Sequence, residues 1–116
     1  MIDLKLVTQK VGQDGVTTVL IDGVVDAYTY RELEETFNQL IEEKNYKLIV
    51  DLSNVDYLTN AGVGVLISVY TISQENNGNI VLVNPKPKVK EVFSMLGLTK
   101  IIPFAEDINS ALKIFA

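Results

Sequence analysis

The hydrophobic period of the chain switches repeatedly between two and 3.6 residues, and that alternation restricts the fold more than any single residue does. "IDLKLVTQKV" and "VTTVLID" carry period-two, β-branched patterns on either side of the turn formers "GQDG", so residues 2 to 22 read as a β-hairpin. Over "DAYTYRELEETFNQLIEEKN" the period lengthens. Tyr30, Leu33, Phe37, Leu40 and Ile41 share one helical face, and Thr29 with Glu32 fits a capping box at its start. "KLIVDLS" is a short apolar run of the kind buried on both faces of a sheet. From Ala61 to about Gln74 no turn signal interrupts the chain, which is too long for a strand; Gly62, Val65, Leu66, Val69 and Ile72 then line one face of a helix that stops near "NNG".

The remainder alternates in the same way. "NIVLVN" gives a strand, and "PKPKVKEVFSMLGL" a helix with Val89, Val92, Phe93 and Leu96 inward and Gly97 at its stop. "IIPF" is a short edge piece, and Asp107 can cap a last helix carrying Ile108, Ala111, Leu112 and Phe115. The order ββαβαβα(β)α predicts an α/β fold: a single domain over residues 1–116, with a mixed β-sheet of four to five strands and about four α-helices. A chain of 116 residues has room for one core of that kind and not for two.

Charge and residue usage then remove whole classes of function. The net charge is −5, spread without long blocks, so nonspecific binding to nucleic acid or to an anionic membrane is opposed by repulsion. There is no cysteine and no histidine, which removes disulfides, thiol catalysis, thiolate metal sites and the usual neutral-pH base. The N-terminus lacks a basic segment followed by an apolar core, and no apolar run reaches about 18 residues, so a cytoplasmic protein without a signal peptide or membrane span is expected.

"NVDYLTNAGVGVLIS", residues 54–68, is the stretch most suggestive of a site. It offers two glycines of a dinucleotide fingerprint, but Ile67 stands where the third belongs, and no Gly-Lys-Ser/Thr follows to form a P-loop. Gly62 and Gly64 are then most simply glycines that let a helix start tightly and lie close to the sheet. Asp26, Asp51 and Asp56 fall near expected strand ends on one possible sheet edge, where a carboxylate pair or divalent-ion site is conceivable, although turn formers and caps explain them as well. Glu32, Glu34, Glu35, Glu42 and Glu43 read as the solvated side and ends of the first helix, and Tyr28, Tyr30, Tyr57 and Tyr70 as core or rim residues.

Taken together, "VLIDGVVDAYTYRELEETF", "LIVDLSNVDYLTNAGVGVLISVY" and "IVLVNPKPKVKEVFSMLGLTKIIPFAEDINSAL" resemble a STAS domain of the bacterial anti-sigma-factor antagonist type across nearly the whole chain. Gly23 to Asp26, Asp51 to Val55, Gly62 to Leu66 and Gly97 to Leu98 match the family pattern in order. The resemblance implies a noncatalytic partner switch without cofactor or metal. Its partners would be an anti-sigma factor that is also a serine kinase, and possibly a phosphatase, acting in transcription regulation. Phosphorylation of a serine at the start of the second helix would break the complex.

At that position the chain departs from the family, since the motif glycines align Asn60 with the phosphorylated serine and Thr59 with the aspartate before it. Asparagine has neither a hydroxyl to modify nor a charge that imitates phosphate. Three outcomes are open: a permanently competent binder, Thr59 as the phosphoacceptor, or a partner outside sigma-factor control. The expected partner-binding surface is Asp26, Asp56, Tyr57, Thr59, Asn60, Ala61 and Val63, on the loop and N-terminus of the second helix, with Gly23, Gly62 and Gly64 shaping the backbone. Asp26 would supply a charged contact or orient the helix start. The alternative is a small-ligand or nucleotide sensor or scaffold domain using the same edge.

Overall fold

The computed structural model describes residues 4–11 and 15–115. Its elements are β1 (Lys5–Val11), β2 (Val16–Val25), α1 (Tyr30–Glu42), β3 (Lys47–Leu58), α2 (Asn60–Glu75), β4 (Asn79–Val83), α3 (Pro87–Met95), a 3₁₀ turn (Leu98–Lys100), β5 (Phe104–Ala105) and α4 (Ile108–Phe115). The five strands lie in the order β1-β2-β3-β4-β5. β1 pairs antiparallel with β2, from Lys5 opposite Asp22 to Val11 opposite Val16, and the three remaining pairings are parallel. This is the expected mixed sheet with four α-helices. Three of the expected turn residues at 12–14 lie outside the described residues.

Strand β3 is longer than its apolar core predicts, because it is irregular against β2. Leu20 faces Asp51 while Asp22 faces Asn54, and Gly23 faces Val55 while Val24 faces Tyr57, so each step places one extra residue on β3. The second bulge leaves Asp56 without a partner on β2. Gly23, expected to shape the backbone, lies inside β2 beside this irregularity with φ of +123°, a region closed to most side chains.

Helices cover the two faces unequally. On one face α1, α2 and α3 send Leu33, Phe37, Val63, Leu66, Val89 and Phe93 into a core with Val19, Ile21, Leu48, Val50, Ile80 and Leu82. On the other, only α4 packs down, with Ala111 over Val16, Ile49, Val81 and Val83. Leu48, Ile49 and Val50 alternate between the two cores and are all fully buried, as the apolar run predicts.

Three local expectations change. Thr29 precedes α1, but its hydroxyl makes no capping bond to that helix and turns back toward β2. α3 ends at Met95, which leaves Leu96 in the turn and half-exposed instead of inward, while Gly97 takes the expected left-handed stop at φ of +73°. On α2 it is Ser73, not Ile72, that is fully buried.

Candidate functional site

The carboxyl ends of β2, β3 and β4 open onto one rim of the sheet, where the connections to α1, α2 and α3 begin. Between β3 and α2 there is one residue, Thr59, so the expected loop from Asp56 to the helix start is strand almost to its end. The Thr59 N–H donates to Val25 O at 2.9 Å, which ties this corner to the end of β2. Thr59 is extended, with φ −78° and ψ 167°, and its Oγ1 accepts a long bond of 3.4 Å from the Gly62 N–H, the N-cap arrangement. Asn60 follows as the first helical residue and is exposed, as is Ala61.

The two glycines that look equivalent in sequence are not equivalent in space. A Cβ on Gly62 would stand 2.6 Å from both Leu58 Cδ1 and Val25 Cγ1, so here the helix does need glycine to approach the sheet. A Cβ on Gly64 would meet nothing within 4 Å. Gly64 instead faces an open groove of about 490 Å³ between α1 and α2, bordered by Tyr30, Asn38, Ile41, Ala61 and Ser68. Val63, expected on the partner-facing surface, is only 1% exposed and belongs to the core. That correction follows from helical geometry: Asn60, Ala61 and Gly64 share the outer side at i, i+1 and i+4, which leaves Val63 on the inner side with Gly62 and, three residues on, Leu66.

Asp26 sits just past β2 and organises the next corner. Its Oδ1 accepts N–H bonds from Tyr28 at 2.8 Å and Thr29 at 3.0 Å. The Thr29 Oγ1 accepts the Asp26 N–H at 2.9 Å and donates to Val24 O at 2.7 Å. The Tyr28 N–H is the main cause that holds the Asp26 carboxyl below the usual carboxylate range. Asp26 therefore orders the turn that leads into α1, and no side-chain bond joins it to the start of α2, the helix it was expected to orient.

The other carboxylates go elsewhere. Asp56, exposed at its bulge, pairs with the Lys86 ammonium just before α3. Asp51 is not at a strand end; it lies within β3, where its Oδ1 accepts from Ser53 N at 2.9 Å and Ser53 Oγ at 2.6 Å. The three aspartates thus have separate partners and form no acid–base pair, and among the described residues no three His, Cys, Asp or Glu side chains cluster to hold a metal ion. Of the tyrosines expected in core or rim, Tyr30 and Tyr70 pack against the core and Tyr57 is 55% exposed on the rim. Tyr28 is 91% exposed, and nothing in its sequence context separates it from Tyr30. Lys86 was equally unmarked, since its partner is thirty residues away along the chain.

An antiparallel lead-in strand, three parallel pairings, three helices on one face and one behind define a compact mixed α/β domain whose distinctive feature is a helix start set directly on the strand rim. The chain belongs to the STAS domain family, whose model matches residues 8–111. It is 30% identical over 112 residues, 97% of this chain and 95% of the relative, to BtrV of Bordetella bronchiseptica, which bears a provisional name as an anti-sigma factor antagonist. It superposes on an anti-sigma factor antagonist from Mycobacterium paratuberculosis with a TM-score of 0.85, at 24% identity and covering 97% and 93% of the two chains. The phosphorylated form of the Bacillus cell fate determinant SpoIIAA has the same fold, with a TM-score of 0.72 at 16% identity, covering 98% of this chain and 100% of that one.

Proposed function

We propose that the chain is a noncatalytic partner-switching module of the anti-sigma-factor antagonist type, binding a cytoplasmic anti-sigma factor that is also a serine kinase. The observation that carries this reading is Asn60, exposed in the first turn of α2 on a corner held by the Thr59–Val25 bond. A helix start tolerates added negative charge because its free N–H groups and dipole stabilise an anion. A docked protein does not tolerate it equally: a phosphate adds about −1.5 to −2 charges, which must be desolvated in the interface of a chain that already carries net charge −5.

Asn60 provides no phosphoacceptor, and Thr59 is half-buried with its hydroxyl engaged as the cap. These features support a binder that stays competent without the serine switch. Asn60→Asp is expected to weaken the complex by about tenfold or more, as expected when an uncompensated charge enters an interface. Asn60→Ser is expected to gain a phosphate on incubation with the kinase and ATP. Intact-mass measurement reads that gain, and on the wild-type chain the same measurement should show no added phosphate; a phosphate on Thr59 would instead make the chain a switch displaced by one residue. Unchanged affinity of Asn60→Asp would take this corner out of the interface.

The groove beside Gly64 favours a second reading, a sensor for a small ligand. A thermal-shift screen with nucleotides and common metabolites tests it, because ligand at a hundred times its dissociation constant stabilises by about 2.7 kcal/mol.

A further inference from the structure

Gly64 lies inside α2, where glycine costs helix stability, yet a Cβ there would meet nothing within 4 Å. Packing within the chain therefore gives no reason for glycine at this position. A glycine with open space beside it fits the close approach of something from outside, and this one stands over the groove of about 490 Å³ between α1 and α2. The bordering residues of α2 run from Ala61 to Ile72, about 16 Å along the helix, so the groove is a long trough and not a round cup. Val65 and Val69 give it an apolar floor that is almost fully buried. Both helices start at the rim where β2 and β3 end, so Ile41 and Ile72 lie toward the far end and Glu34 nearer the rim.

Among the described residues Glu34 is the one charged side chain on this border, and it has no ion-pair partner; Arg31, three residues earlier on α1, does not border the groove. A phosphate-bearing ligand would meet that carboxylate with no cation to offset it. A carboxylate beside an apolar trough instead complements a cation carried on a hydrocarbon chain. We propose that the α1–α2 groove takes an elongated organic cation, its chain lying over Gly64 along α2 and its ammonium or guanidinium group at Glu34. This rests on the groove being a small-ligand site and adds the chemical class of the ligand.

n-Hexylammonium and hexanoate, which share chain length and differ in the sign of the head group, are the probes, with amide chemical shifts of α1 and α2 as the readout. The cation should bind about tenfold or more tightly than the anion, and high salt should shrink that preference. Glu34→Gln should bring the two within about threefold of each other. Gly64→Val should fill the trough and abolish binding of both without lowering the melting temperature, since valine is the better helix former and meets open space. Equal binding of the two probes, or a preference that survives Glu34→Gln, would overturn the cation class and leave a small-ligand site standing. The same holds if neither probe moves the groove amides while a nucleotide or metabolite raises the melting temperature; if nothing binds at all, site and ligand class fall together. A wild-type dimer that Gly64→Val converts to monomer in sedimentation would assign the groove to a second copy and overturn the proposal.

Discussion

At Asp26 a single carboxylate oxygen receives two backbone N–H groups, and this arrangement has a pH signature. Its acidity is raised mainly by the Tyr28 N–H, so the folded-state pKa lies below the ordinary value of 3.8. A depressed carboxyl pKa stabilises the fold fully above the unfolded value, and that contribution is lost as pH falls through the folded value. A carboxyl-detected NMR titration should place the Asp26 midpoint below 3.8. Asp26→Asn keeps an oxygen acceptor for both N–H groups and should flatten this part of the acid-unfolding curve; an unchanged slope would assign the effect to other acids, Asp107 first, whose pKa is lowered by the Ser110 N–H. Gly62 offers a second test at this scale. Gly62→Ala drives a methyl against Leu58 and Val25, and overpacking of about 1–3 kcal/mol outweighs the gain of up to about 1 kcal/mol in helix propensity. Urea unfolding should show a net loss. The glycine pair was legible in sequence as a helix start near a sheet, but only the space around each Cβ distinguishes the one that packing requires.

The element that best shows the reach and limit of pattern is α2. Its length followed from the absence of turn signals between Ala61 and Gln74, and the helix indeed runs Asn60–Glu75. Its buried face was only partly legible, because Val63 and Ser73 enter the core while Gly64 stays out. Gly64→Ala is expected to stabilise the chain by about 0.5–1 kcal/mol, the ordinary cost of a helical glycine where nothing crowds the new methyl. Chemical denaturation checks the gain, and a simultaneous loss of affinity would show that a partner lies along the α1–α2 groove. Ser73, fully buried with an unpartnered Oγ, gives a like expectation: Ser73→Ala removes a polar atom from the core without opening a large cavity, and should not destabilise. Other elements were misjudged for identifiable reasons. The end of β3 was hidden because its bulges break strict alternation around Asp56, and the capping box failed because the Thr29 hydroxyl oxygen accepts the Asp26 N–H while its proton goes to Val24 O, turning it away from the helix.

Across the molecule, β3 joins everything, pairing with β2 on one side and β4 on the other while feeding Leu48 and Val50 to one core and Ile49 to the other. Opening either core exposes its neighbour, so unfolding should be a single transition, with circular dichroism and tyrosine fluorescence giving coincident urea curves. Ile49→Ala should cost about 2–5 kcal/mol although only the short α4 covers that face, and both probes should shift together. Separate midpoints would mean that the α4 side comes apart independently. The topology was the most legible level, because the alternating periods leave few arrangements once the parallel crossovers are required to be right-handed. The position of the rim contacts was the least legible, since they join residues distant along the chain, as Lys86 and Asp56 are.

The bond from the Thr59 amide to the Val25 carbonyl links the corner that carries Asn60 with the corner that carries Asp26. Neither can swing away alone. A molecule that lands across both therefore finds its seat assembled before contact, loses little entropy in ordering it, and should show a heat-capacity change set by buried area, without the added signature of a loop folding on arrival.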